Sequence, residues 1–154
     1  MSPAPNLTLR SANEADARVI RDLLERSGLP ASDLNAARPE FVVANTAERI
    51  VGIGALEHFG SAALLRSVAV EPQWRGSGIG RLIVEELERR ARGANINELI
   101  LLTLTAQDFF QRLGYSAKNR SQVPPTVLDS AEFRSLCPAS AACMAKGLAL
   151  RIGS

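Results

Sequence analysis

Val68-Ala69-Val70-Glu71-Pro72-Gln73-Trp74-Arg75-Gly76-Ser77-Gly78-Ile79-Gly80-Arg81 is the stretch whose reading decides the fold. It reads as the end of a strand, a glycine-rich turn and the start of a helix. Unpaired amides at a helix start point outward, and the macrodipole places positive potential there. Gly76, Gly78 and Gly80 lack a Cβ, so the backbone can approach an anion closely and take up positive φ. Arg75 and Arg81 add charge on either side, and Trp74 reads as a loop anchor. The combination describes a pyrophosphate cradle. A capped turn without a ligand is the competing reading of the glycines alone. A nucleotide P-loop is excluded by the missing G-K-[ST] ending, and the spacing of two is not the G-x-G-x-x-G of a dinucleotide turn.

Downstream, Ile79, Leu82, Ile83, Leu87 and Ala91 form one helical stripe, with Arg89, Arg90 and Arg92 in the last turns and Gly93 as the stop. Upstream, Leu64–Val70 reads as a central strand. Ile50–Leu56 and Phe41–Ala44 precede it, separated by turns at 45–48 and 59–61, which predicts an antiparallel meander. Before them, Leu7–Leu9 suits an edge strand. Ser11 and Glu14 have the S-x-x-E form of a capping box for a helix burying Ala15, Val19, Ile20, Leu23 and Leu24. Gly28-Leu29-Pro30 stops that helix, and residues 31–38 suit a short second one capped by Ser32 or Asp33. Beyond the central helix, Leu99–Leu102 reads as a strand buried on both faces. A short helix over Ala106–Leu113 then ends at Gly114. The rest is less regular. Val123-Pro124-Pro125 cannot be a central strand, Asp129 can cap a turn reaching Leu136, and Cys143–Leu150 can close the sheet. The order βα(α)βββαβα plus a tail predicts a mixed α/β layer fold.

The chain has 154 residues, which suits a single domain over 1–154. A formal net charge of +2 is too balanced to point to nucleic acid or an acidic membrane surface. Met1–Asp16 has no apolar core after a basic start, and no apolar run approaches a membrane span, so a cytoplasmic location is expected. Two cysteines, Cys137 and Cys143, are too few for a disulfide scaffold or a structural zinc set. Buried free thiols are the simpler reading, and no metal is expected.

Arg75-Gly76-Ser77-Gly78-Ile79-Gly80 resembles the R-x-x-G-x-G/A signature of the Gcn5-related N-acetyltransferases (GNAT). The strand ending Val68-Ala69-Val70 stands where that family has one. The resemblance runs over essentially the whole chain. It implies a GNAT fold: a mixed, mostly antiparallel sheet flanked by helices, with splayed central strands forming the acetyl-CoA cleft. It also implies acetyl-CoA as co-substrate. The loop amides would hold the pyrophosphate and the pantetheine arm would lie along the strand, with contacts from Val68, Ala69, Val70, Arg75, Gly76, Ser77, Gly78, Ile79, Gly80 and Arg81. Leu102 to Tyr115 aligns with the family's N-x-x-A-x-x-F-Y-x-x-x-G-F stretch. There Phe110 takes the place of the usual tyrosine acid beside the cofactor, and Thr103 that of the asparagine. Tyr115 is the only tyrosine, and in family terms it packs at the start of the next strand.

Three segments together resemble the acetyltransferases of arsenic-resistance operons: Leu64 to Val70, the Leu-Leu-Thr-Leu-Thr-Ala-x-x-Phe-Phe run, and Cys137 to Met144. The first two are also similar to the acetyltransferase domain of N-acetylglutamate synthases. Both comparisons imply a small, amino-acid-like acceptor amine, with Arg66, Ser67 and Thr103 as substrate-binding candidates. A guanidinium is a poor base and a good fork for a carboxylate. A structural ion pair is the other role open to Arg66. Glu57 and His58 are the candidate bases, directly or through water. A homodimer is compatible with these features. A non-catalytic acyl-CoA sensor is the alternative from another class, because Phe110 has no proton to give.

Overall fold

A computed structural model describes residues 7–148. It contains β1 (Thr8–Ser11), α1 (Ala17–Arg26), α2 (Leu34–Ala37), β2 (Glu40–Asn45), β3 (Ile50–Phe59), β4 (Ala62–Val70), α3 (Ile79–Gly93), β5 (Glu98–Thr103), α4 (Gln107–Arg112), β6 (Ser116–Ala117), α5 (Pro125–Leu128) and β7 (Ala142–Gly147). The strands form one open sheet in the order β1-β2-β3-β4-β5-β7-β6. The meander β1 to β4 is antiparallel, β4 and β5 are parallel, and β7 returns antiparallel beside β5. This is the expected mixed, mostly antiparallel sheet. The tail is more ordered than its sequence suggests: α5 starts on Pro125, a π-helical turn spans Glu132–Leu136, and β7 closes the sheet. Residues 149–150 of the expected closing strand lie outside the described residues.

Three local expectations are corrected. The cap before α1 is Asn13 with Asp16, not Ser11 with Glu14: Asn13 Oδ1 accepts from the Ala15 amide and Asp16 Oδ2 from the Asn13 amide, at 2.9 and 2.8 Å. Ser11 pairs in β1 and its hydroxyl accepts from Arg90. The amphipathic face of α1 is narrower than expected, because Val19 is exposed while Ile20, Leu23 and Leu24 are buried. Neither Ser32 nor Asp33 caps α2 through a side chain: the position before that helix is Asp33, whose carboxylate binds Arg66 instead.

One face of the sheet carries α3. Its Ile79, Ile83, Val84, Leu87 and Ala91 pack on Val42, Ala44, Val51, Ala63, Leu65, Leu99 and Leu101. The other face is shared. Ile20, Leu23 and Leu24 of α1 cover Val43, Ile53 and Ala69, while Val123, Val127 and Phe133 of the tail cover Ala62, Leu64, Ile100 and Cys143. Each fully buried side chain of this size contributes roughly 1.5–3 kcal/mol by leaving water.

Two irregularities open the middle of the sheet. Ala55 faces Arg66 and Ile53 faces Ala69, so Gly54 alone opposes both Ser67 and Val68. This bulge has Ser67 at φ 62°, a left-handed conformation. It also reverses the alternation of β4. Ala63 and Leu65 face α3 before it, and Val68 and Val70 after it. In addition, β4 pairs with β5 only over Ala62–Leu64, although both strands continue beyond. Past Leu64 the two diverge.

Gly54 is the hinge of this packing. A Cβ there would lie 2.6 Å from Ile83 Cγ2 and 3.0 Å from Leu87 Cδ1. Gly54→Val should therefore cost about 1–3 kcal/mol by overpacking, read as a lower urea midpoint with an unchanged slope. A wild-type midpoint would show that α3 can retreat freely.

Candidate active site

Between β4 and α3 the chain makes a short 3-10 turn, Pro72–Trp74, and then the glycine loop. Gly76 has φ 80° and Gly78 φ 90°, and no atom lies within 4 Å of a Cβ built at either. Gly78 is the N-cap of α3, and the Leu82 amide donates to its carbonyl at 3.1 Å. Among the described residues, the backbone amides of 76 to 81 find no acceptor in the chain. Consecutive free amides, glycines in left-handed geometry and open space in front of them are what an anion cradle requires. Arg75 and Arg81 flank it. Arg75 Nε donates to the Val70 carbonyl at 3.3 Å, and Arg81 pairs with Glu85 at 3.1 Å. Ser77 is buried and its hydroxyl donates to the Trp74 carbonyl, so it shapes the loop from inside. Glu71 ties the start of the loop down. It takes both terminal nitrogens of Arg26 at 2.9 and 3.1 Å, and its amide donates to the Val51 carbonyl. The guanidinium holds the Glu71 carboxyl below its ordinary range.

Beside the cradle, Arg81, Glu85, Phe109, Arg112 and Leu113 line a groove of about 340 Å³ between α3 and α4. From α4, Phe109 approaches the start of α3: its ring would lie 3.3 Å from a Cβ at Gly80. Sequence reasoning missed Phe109 and Arg112, because only the approach of α4 to α3 brings them here. Phe110, expected at the cofactor, is instead buried in the core, edge-on to Phe109 and Tyr115 at 5.0 and 5.6 Å. Adjacent helix positions lie about 100° apart, so Phe110 turns inward while Phe109 faces the start of α3. Tyr115 donates to Glu88 at 2.9 Å, and burial pushes its hydroxyl well above the ordinary tyrosine range. It is a strut between α3 and the strand region, not an acid.

Behind the divergence of β4 and β5 lies a charged cluster. The Arg66 side chain is fully buried. Its terminal nitrogens bind Asp33 at 2.7 and 2.8 Å and Glu57 at 3.0 Å, and its Nε donates to Ser67 Oγ at 3.3 Å. Glu132 Oε2 lies 3.3 Å from the same Nε. The guanidinium is thus committed to its own chain, which is the ion-pair role, and it offers no open fork to an acceptor carboxylate. Glu57, a candidate base, is tied to it. His58 points to the opposite face, as adjacent strand residues do, and binds Glu40 at 2.9 Å on the exposed end of β3, opposite Ala63. That places it away from the opening. Thr103 accepts the Ala106 amide at 3.0 Å and so fixes the turn that leads into α4. Cys137 donates to Glu132 Oε1 at 3.4 Å, and burial pushes its thiol up to about 12. Cys143 is buried in β7.

An open mixed sheet with diverging central strands, and an anion cradle leading from one of them into a helix, defines an acyl-CoA-dependent transferase. Residues 37–117 match the acetyltransferase (GNAT) domain model. An uncharacterized N-acetyltransferase of Chlorobaculum tepidum is 30% identical over 151 residues, covering 92% of this chain and 94% of that protein. The chain belongs to the GNAT acetyltransferase family, and acetyl-CoA is its co-substrate. An amino-acid acetyltransferase of Mycobacterium tuberculosis is 35% identical over 82 residues, 53% of this chain and 47% of that protein. The N-acetylglutamate synthase of Neisseria gonorrhoeae, solved with coenzyme A and N-acetyl-glutamate, superposes with a TM-score of 0.81 at 20% identity. That match covers 96% of this chain and 36% of the synthase, and it shows a shared fold. Among the described residues no helix is long and apolar enough to cross a membrane.

Two substitutions separate the cradle from the cluster. Gly78→Val forces a β-branched residue into φ 90° and should weaken acetyl-CoA binding by calorimetry while the chain stays folded. Unchanged affinity would count against the cradle. Arg66→Ala removes the partner of three buried carboxylates and should cost about 3–5 kcal/mol in urea unfolding. A loss below 1 kcal/mol, with impaired acceptor binding, would restore the substrate-fork role.

Proposed function

We propose that this acetyltransferase moves the acetyl group of acetyl-CoA to the amine of a small, amino-acid-like acceptor. The observation that carries this reading is the acidic cluster behind the diverging strands. Asp33 before α2, Glu57 on β3 and Glu132 of the tail converge on a single guanidinium. The net negative charge of such a cluster favours a cationic amine nearby over an anionic group. The relatives named amino-acid acetyltransferases support the same class of acceptor. An acceptor carboxylate could reach Arg66 only by displacing one of the carboxylates already there. The amine end is the end the cluster suits. We read residues 1–154 as one such domain, supported by the three hydrophobic clusters packed on a single sheet.

The chain's own residues divide the work. The amides of residues 76 to 81 and Arg75 and Arg81 hold the pyrophosphate. The free edge of β4 beyond Leu64 accepts an extended arm as an added strand. Positioning of amine and thioester supplies much of the rate, and backbone donors of Val68 to Val70 polarise the carbonyl. Neither Phe110, which has no proton to give, nor Tyr115, which is locked onto Glu88, serves as an acid for the leaving sulfur. A thiol with a pKa of roughly 8.5 leaves without one.

The deciding experiment is an acceptor panel reading CoA thiol release. It should hold L-glutamate, L-glutamine and other L-amino acids, amino-acid-like arsenicals, and peptides as a contrast. Turnover is expected with one or more of the small amines and not with the peptides. An arsenical as best acceptor would assign the chain to arsenic resistance. A protein that binds acetyl-CoA and acetylates nothing on the panel would overturn the proposal and leave an acyl-CoA-binding module. Phe110→Tyr should change turnover less than about threefold, far below the roughly 10²–10⁴-fold of a positioned proton donor.

A further inference from the structure

The groove between α3 and α4 has its charge sorted unequally between its two walls. On α3, Arg81 and Glu85 stand one turn apart, and Arg81 Nε donates to Glu85 at 3.1 Å. On α4, Phe109, Arg112 and Leu113 share one face at helical spacing. Arg112 is exposed, and among the described residues it has neither an ion pair nor a side-chain hydrogen bond, not even with Asp108 one turn earlier. The α3 wall is therefore neutralised from within, whereas the α4 wall carries an uncompensated guanidinium. Phe109 is half-buried, with the tip of its ring near Gly80.

The position of the groove limits what can occupy it. Its α3 wall begins at Arg81, the last residue of the amide cradle. A diphosphate seated on the cradle has two ends. One continues along the free edge of β4 beyond Leu64, the path of an extended thioester arm. The other leaves toward α4 and enters the groove. In acetyl-CoA that second end is an adenosine bearing a phosphate monoester on its ribose, nearly doubly charged at neutral pH. An aromatic ring is a platform for a base, and an unpaired guanidinium is a planar fork for a phosphate. The groove, of about 340 Å³, supplies one of each.

We propose that this groove reads the nucleotide end of acetyl-CoA, with Arg112 selecting for the ribose 3′-phosphate and Phe109 flanking the adenine. The proposal rests on the cradle holding the diphosphate and is independent of the acceptor. Arg81, at the entrance, stays with the diphosphate. Glu85 keeps negative charge on the α3 side, which steers the monoester toward Arg112 on α4. The enzyme thereby prefers coenzyme A to 3′-dephospho-coenzyme A, which differs only in lacking that phosphate.

Calorimetry with coenzyme A and 3′-dephospho-coenzyme A on the full chain tests this. The wild type should bind coenzyme A about tenfold tighter, the scale of one charge-assisted contact. Arg112→Gln should bring that ratio below about threefold by weakening coenzyme A alone, and Arg112→Lys should keep part of it. Phe109→Leu should weaken both ligands by a similar factor, because both carry the base. Equal wild-type affinity for the two ligands overturns the proposal, as does a ratio unchanged in Arg112→Gln. A fall of both affinities in Arg112→Gln at constant ratio also overturns it, and makes Arg112 a structural residue. Phe109→Leu with wild-type affinity for both ligands removes the base from this groove. Only the cofactor is varied, so none of these results bears on the acetyl-transfer reading. Failure of the cradle shows separately, as unchanged affinity in Gly78→Val.

Discussion

Opposite Gly54 of β3, strand β4 places two residues, Ser67 and Val68, and much else in the molecule depends on that mismatch. A non-glycine residue at positive φ costs of order 1–3 kcal/mol and persists only where its surroundings over-determine it. Here they do. Gly54 lets Ile83 and Leu87 press against the sheet from one side, and the bulge turns Val68 and Val70 toward them. On the other side it leaves Arg66 aimed at the tail and Ala69 under α1. Removing the extra residue would return Val68 and Val70 to the wrong face.

The same irregularity separates two chemical environments along one strand. After the bulge, β4 leads through Glu71 into a loop of unpaired amides, with helix-dipole and arginine charge suited to an anion. Before it, the side chain of Arg66 draws carboxylates from three distant segments into the interior. Asp33 is taken from the N-cap of α2, Glu57 from β3 and Glu132 from the π turn. The cluster acts as a clasp, tying the tail and the α1–α2 segment to the centre of the sheet. Its negative excess gives the site a polarity opposite to that of the cradle.

The packing of α4 follows from a choice between neighbouring aromatics. Phe110 turns inward to Tyr115, which is held by Glu88, which in turn accepts from Lys146 of β7 at 3.1 and 3.2 Å. This chain of contacts fixes α4 against α3 and β7, and leaves Phe109 facing Gly80. The residue aligned with a family acid has become a core residue, and its neighbour has taken the position beside the loop.

The strand order of the meander, the long central helix and the glycine turn between them were legible in the sequence, because each rests on local periodicity or on backbone freedom at named glycines. The positive φ of Gly76 and Gly78 needs only the absence of a Cβ, so that turn could be read directly. Caps and faces were less legible: Asn13 rather than Ser11 starts the first helix, and Asp33 serves a guanidinium 33 residues away rather than its own helix. The bulge at Ser67, the inward turn of Phe110 and the gathering of Asp33, Glu57 and Glu132 around Arg66 were decided only by the tertiary structure. Burial and charge compensation depend on which distant side chains share a space, and no periodicity along the chain encodes that.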